Sequence, residues 1–278
     1  MCIRDRSGAA TNVNGIGTAA SFGQPRDVAI DSIGNVYVAA SRLIRKINTS
    51  GLVTTLATLS NIIIGIDVDR VGNVYAAIWD EHRIVKITPA GVVSTLAGSA
   101  GTAGYVNATG SEARFNRPRD VAVDGSGNVF VVDGYNHRIR KISPLGVVTA
   151  FVGSGISTFA DGTGTDASFS YPKGITIDAS GFLYVTDSYN NRIRKISPAG
   201  VVTTLAGTGD QVFADGTGTT AAFSQPDNVA IDSEGNVYVA EANSLRIRKI
   251  IQAGCATPVI SGTATICAGT VSYTHLRA

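Results

Sequence analysis

The stretch FNRPRDVAVDGSGNVFVVDGYNHRIRKISPLGVVTAFVG, residues 115–153, holds four extended pieces joined by turns. DVAVD reads as a strand that stops at Asp124, whose carboxylate can accept N–H groups of the turn. Gly127 stands where that turn needs positive φ, so a tight hairpin leads into NVFVVD. RIRKI is a third strand, Pro144 and Gly146 supply the next turn, and GVVTAFV is a fourth strand. The unit is a four-stranded antiparallel meander.

The unit recurs. Aligned on the turn aspartate, the copies are marked by Asp31, Asp69, Asp124, Asp178 and Asp232, spaced by 38, 55, 54 and 54 residues. Each carries an aromatic six residues later: Tyr37, Tyr75, Phe130, Tyr184 and Tyr238. Such a unit, repeated in register, is a blade of a β-propeller. The expected fold class is therefore all-β, a propeller of four-stranded antiparallel blades with five readable repeats. The copies differ in detail. The second lacks the F..P lead-in, which explains its short interval, and has Ile78 where others have the second-strand aspartate. The first has Ala40 there, and the last lacks a G.V.TLAG strand.

The pattern F..P..VA.D..GN.YV.D..N.RI.KI...G.V.TLAG resembles the NHL repeat over roughly residues 20–250. The resemblance implies a propeller that is usually six-bladed, of a general shape shared with SMP-30/gluconolactonase-like propellers. Because the chain reads as a fragment, six blades or an incomplete ring are expected. MCIRDR and VSYTHLRA match nothing else in the chain and resemble translated sequencing-adapter residue. We expect 1–6 and 271–278 to be non-native ends, 7–254 to be the propeller, and 255–270 to open an immunoglobulin-like module.

Composition sets limits. The chain has 278 residues, enough for a large core without staples. Its 32 glycines, with many Val, Ile, Thr and Ala, suit short strands and many turns. No run of 18 apolar residues offers a membrane span. The only cysteines are Cys2, Cys255 and Cys267, compatible with secretion. Together with the tail, this suggests an extracellular or cell-surface setting in a bacterial multidomain protein, with a monomeric propeller.

Thirteen of the 23 basic residues fall in the RIRKI slots, yet 21 acidic residues nearly balance them. A nucleic-acid surface would need a positive excess on one face. We expect instead that the basic side chains pair with Asp133 and Asp187 across strands and cover blade surfaces. His82 and His137 share a slot with Asn191 and Leu245, so they read as loop residues. No HExxH, G-x-S-x-G or P-loop pattern occurs, and no catalytic residue is assigned. ADGTGTDASF (160–169) and ADGTGTTAAF (214–223) have the oxygen-rich character of calcium loops but lack a closing glutamate, so they read as connectors.

Two candidate sites remain. At the start of the first strands stand Asp27, Gly65, Asp120, Gly174 and Asn228, with Asp67 two residues further on. Asp27, Asp67, Asp120 and Asn228 are the candidate metal set, for calcium if any cofactor is bound. Lactonase-like propellers hold a divalent cation with a similar oxygen set, which implies a metal-dependent hydrolase as one reading. The loops between second and third strands offer Trp79, Asp80, Tyr135, Asn136, Tyr189, Asn190 and Asn243, suited to protein, peptide or carbohydrate binding by stacking and hydrogen bonding. A non-catalytic interaction module is the expected function.

Overall fold

Each repeat folds around its aspartate, and the chemistry is local. Asp69 Oδ1 accepts the N–H groups of Val71 and Asn73 at 3.1 and 2.8 Å, and Oδ2 accepts Asn73 Nδ2 and the Tyr75 hydroxyl. Asp31 and Asp232 repeat this set with Tyr37 and Tyr238. Asp178 keeps the backbone and tyrosine bonds, with Phe182 in the asparagine place. Burial works to raise the Asp69 pKa, but the bonds from Asn73, Tyr75 and Val71 outweigh it and hold the carboxyl below its ordinary value. Gly127 has φ 80, as the turn demands.

The computed structural model describes residues 11–252 and the backbone of Thr270–Tyr273. The three cysteines, the end 1–6, and most of 255–270 and 271–278 lie outside the described residues. The fold class is all-β, of propeller type, with five antiparallel blades among the described residues. The chain divides into two compact units, Met1–Ala150 and Phe151–Ala278.

In the first unit, blade one runs Pro25–Ile30, Val36–Ala40, Leu43–Ile47 and Leu52–Thr58, with Gly15–Ile16 added along the last strand. Blade two is Ile63–Val68, Val74–Ile78, Arg83–Ile87 and Val93–Gly98. Blade three is Val121–Val123, Val129–Asp133, Arg138–Ile142 and Val148–Val152, the last of which leads into the second unit. Neighbouring blades pack through apolar faces. Ala29, Tyr37 and Ala39 of blade one meet Ile63, Ile66 and Val68 of blade two. Tyr75 and Ala77 of blade two repeat that contact against Val121 and Val123 of blade three. A small alanine beside a tyrosine lets the next sheet approach closely.

In the second unit, blade four is Pro172–Ile177, Leu183–Asp187, Arg192–Ile196 and Val201–Ala206, with Gly162–Thr163 added along the last strand. Blade five is Pro226–Ile231, Val237–Glu241 and Arg246–Ile251. Its fourth place, for which the sequence has no G.V.TLAG word, is held by Thr270–Tyr273. Tyr184 of blade four packs with Val229 and Val237 of blade five.

Arginine clamps and a candidate binding surface

The central arginine of RIRKI is buried in every copy that has it. Arg45, Arg140, Arg194 and Arg248 are each 0% exposed. Strand register explains the pairing: Val185 lies opposite Arg194 and Asp187 opposite Arg192, so Asp187 and Arg194 are diagonal on one face. Arg194 Nη1 donates to Asp187 Oδ2 at 2.6 Å and to the Ser168 carbonyl. Its Nη2 donates to the Ala160 carbonyl and to Asp161 Oδ1, both at 2.7 Å. The rings of Phe159 and Phe169 lie 4.8 and 5.0 Å from its guanidinium carbon. Arg248 repeats the arrangement with Glu241, Asp215, Phe213 and Phe223, and Arg140 with Asp133, Asn107, Tyr105 and Phe115.

The ADGTGT stretches are therefore the far jaws of arginine clamps. Asp161 and Asp215 face guanidinium groups. Blade two shows the same logic by omission: Val85 replaces the arginine, Ile78 replaces the acid, and the long lead-in loop is missing. The lysines of the slots lie over second-strand aromatics, Lys46 on Tyr37 at 5.4 Å and Lys141 on Phe130 at 5.5 Å. The expected pairs with Asp133 and Asp187 are present.

The first-strand carboxylates are engaged by backbone. Asp27 Oδ2 accepts the Ile66 N–H of the next blade at 2.7 Å, and Asp67 Oδ2 accepts the Val123 N–H of the blade after that at 2.8 Å. Asp120 Oδ1 and Asn228 Oδ1 each accept the N–H of the following residue. Burial pushes the Asp67 carboxyl up to about 7 against the pull of its two backbone bonds, with the charges of Asp27 and Asp69 adding to the rise. The folded state thus holds the Asp67 proton more tightly than the unfolded chain. That contribution is complete below the unfolded value and is lost as pH rises through about 7. His82 slopes the other way, because burial and the Arg117 charge lower its pKa. His137, lowered by burial, slopes the same way as His82, so in a His82→Asn/His137→Asn background the melting temperature is expected to fall between pH 5 and 8. Asp67→Ala, which places the residue found at Ala29 and Ala122, should reduce that slope, leaving the part that comes from Asp133, whose carboxyl burial pushes up to about 6.

The loop candidates sit on short 3₁₀ turns: Trp79–Glu81, Gly134–Asn136 and Ser188–Asn190. Asn136 and Asn190 work inward, each donating its amide to a second-strand aspartate and to a lead-in carbonyl. Asp80 and Asn243 are exposed on their turns. Trp79 and Tyr135 approach with ring centroids 6.5 Å apart. Tyr189, 57% exposed, stacks on Tyr171 at 4.8 Å within the second unit.

Two residues were missed by pattern reading. Arg117 lies over both Trp79 and Tyr135, at 4.5 and 5.0 Å from the centroids, and its Nη1 donates to the Tyr135 hydroxyl at 3.2 Å. His82, read as a loop residue, accepts the Arg117 N–H at Nδ1. In the second unit Asn191 Oδ1 does the same for Gln225. The signal was in the repeat: Gln24, Arg117, Tyr171 and Gln225 all precede the lead-in proline, and all have φ near 50.

Residues 101–276 match the family model described as SMP-30/Gluconolactonase/LRE-like region. The chain belongs to that family. It is 31% identical over 192 residues to human NHL repeat-containing protein 2, covering 63% of this chain and 26% of that protein. Protein SUPPRESSOR OF QUENCHING 1, chloroplastic, of Arabidopsis thaliana is 28% identical over 189 residues, covering 64% and 18%. The chain thus spans about a quarter or less of these relatives. An auxiliary nutrient binding protein from Bacteroides thetaiotaomicron shares the fold with TM-score 0.65 and 17% identity, over 84% of this chain and 60% of that one. The SMP-30/gluconolactonase-like resemblance implies a divalent cation at the first strands. Among the described residues no three His, Cys, Asp or Glu gather into a group that could hold one.

Proposed function

We propose that this SMP-30/gluconolactonase-like chain is a non-catalytic recognition module of a larger secreted or cell-surface protein. It holds a protein, peptide or carbohydrate partner on the face built by the Trp79–Glu81 and Gly134–Asn136 turns of the first unit. The reading is carried by one observation: Trp79, Arg117 and Tyr135 form a half-exposed aromatic and cationic cluster on short, hydrogen-bonded turns. Aromatic and arginine side chains on rigid turns lose little conformational freedom on binding. The buried arginines of the third strands favour scaffold over nucleic-acid contact, since a phosphate cannot reach a guanidinium that is 0% exposed.

A second reading, a metal-dependent lactonase, is favoured by family membership and by Asp67, a carboxyl raised to about 7 beside Asp27. Against it, Asp27, Asp67 and Asp120 already receive backbone N–H groups. The test is a paired screen of the chain. Glycan and peptide arrays are read with the wild type and with Trp79→Ala, and γ-lactone hydrolysis is followed with and without calcium. Array binding lost in Trp79→Ala, with no calcium-dependent hydrolysis, is the expected result. Calcium-dependent turnover abolished by Asp67→Ala would overturn the module reading.

A further inference from the structure

We infer that Trp79, Arg117 and Tyr135 form a site for a carboxylated sugar, a uronic acid unit whose carboxylate meets Arg117 while its ring lies against Tyr135. This rests on the recognition reading above.

Arg117 differs from its neighbours in how it is used. In the same unit Arg140 is closed off by Asp133, Asn107 and two carbonyls, and Arg83 is paired with Glu81. Arg117 spends Nη1 on the Tyr135 hydroxyl and its backbone N–H on His82. Among the described residues, no acceptor faces its Nε or Nη2. It is a half-buried guanidinium whose carbon lies over two rings, with Nε and Nη2 left for a ligand. With Nη1 on the Tyr135 hydroxyl, the Nε and Nη2 donors remain as a planar fork that matches a carboxylate. Partial burial between aromatic rings strengthens the attraction for an anion above that of an exposed lysine.

The surroundings select the carrier of the carboxylate. Tyr135 is 39% exposed, and an apolar sugar face can lie against that exposed part. Asp80, exposed in the same turn as Trp79, can accept hydroxyl protons, which a sugar has and an acidic side chain lacks. A uronic acid fixes its carboxylate to a rigid ring, whereas Glu or Asp in a peptide must first freeze rotatable bonds.

Trp79 is the only tryptophan, so its emission reports on the site directly. The chain is titrated with trigalacturonic acid, with its methyl ester and with a hexaglutamate peptide, at 50 and 300 mM salt. The same titrations are run on Arg117→Gln. That variant should fold, because Gln24 and Gln225 occupy the same slot with φ 50 and 48; circular dichroism checks it.

The expected result is a shift in Trp79 emission with the acid, at least tenfold weaker for its ester and for Arg117→Gln, and weakened by salt. Equal binding of the ester, or undiminished binding by Arg117→Gln, would overturn the carboxylate assignment and leave a recognition face intact. Tighter binding of hexaglutamate would overturn the sugar assignment in favour of a peptide. No response to any probe would overturn the inference, while the arrays judge the broader reading separately.

Discussion

Replacing Arg194 by valine is expected to destabilise the second unit by about 3–5 kcal/mol, the usual cost of stranding one partner of a buried ion pair. Asp187, 0% exposed, would lose its 2.6 Å partner while keeping the Asn190 amide and the Ser170 N–H. Burial already pushes the Asp187 carboxyl upward, and the guanidinium is the strongest influence pulling it back. The Asp161 and Ala160 contacts of the lead-in loop would go at the same time. For a unit of this size the loss corresponds to a fall in melting temperature of roughly 10–20 °C. The chain supplies its own control in blade two, where Val85 and Ile78 occupy the arginine and acid positions and are fully buried. Arg194→Val with Asp187→Ile should therefore be more stable than Arg194→Val alone, by about 1 kcal/mol or more. Urea denaturation of both variants decides it. A double variant no better than the single would mean that the acid is not what the arginine neutralises.

Gly65→Ala is expected to destabilise the first unit for a different reason. An alanine Cβ would lie 2.6 Å from the Asp120 Cα and 2.7 Å from the Arg119 carbonyl oxygen, and it would strike Asp120 Oδ1. Two of the three obstacles are backbone, so blades two and three would have to separate. Overpacking of this kind costs roughly 1–3 kcal/mol. Removing the carboxylate with Asp120→Ala should not rescue the variant, because the Cα and the carbonyl stay in place. Rescue by that second change, seen in thermal melts, would show that only the side chain blocks the way. Gly174 stands in the same relation to Asn228 in the second unit, with the Asn228 Cα at 2.7 Å from its would-be Cβ. A glycine in one blade thus makes room for the acid or amide of the next.

These contacts explain how much could be read in advance. The aspartate turn was legible because its bonds all fall within six residues, from Asp31 to Tyr37 and again in later copies. The strands followed from it, and so did the blade architecture. Among the first-strand carboxylates, Asp27 and Asp67 have backbone N–H partners 39 and 56 residues away, which no local pattern reveals. The Asn136 and Asn190 amides looked available for a ligand, and folding turns them onto aspartates three residues back.

Arg117 escaped notice because local rules point elsewhere. A residue before proline is steered toward extended backbone, yet Arg117 and its three counterparts adopt φ near 50. Only the packed blades impose that geometry, with His82 or Asn191 accepting the N–H that the turn leaves over.

The sequence by itself determined the repeating unit, because a blade is encoded by short-range bonds and by the alternation of strand and turn. The tertiary structure alone decided which charges are buried scaffold and which are open. Burial and pairing depend on what the neighbouring blade presents, so identical RIRKI words vanish into clamps while Arg117 is lifted out between Trp79 and Tyr135.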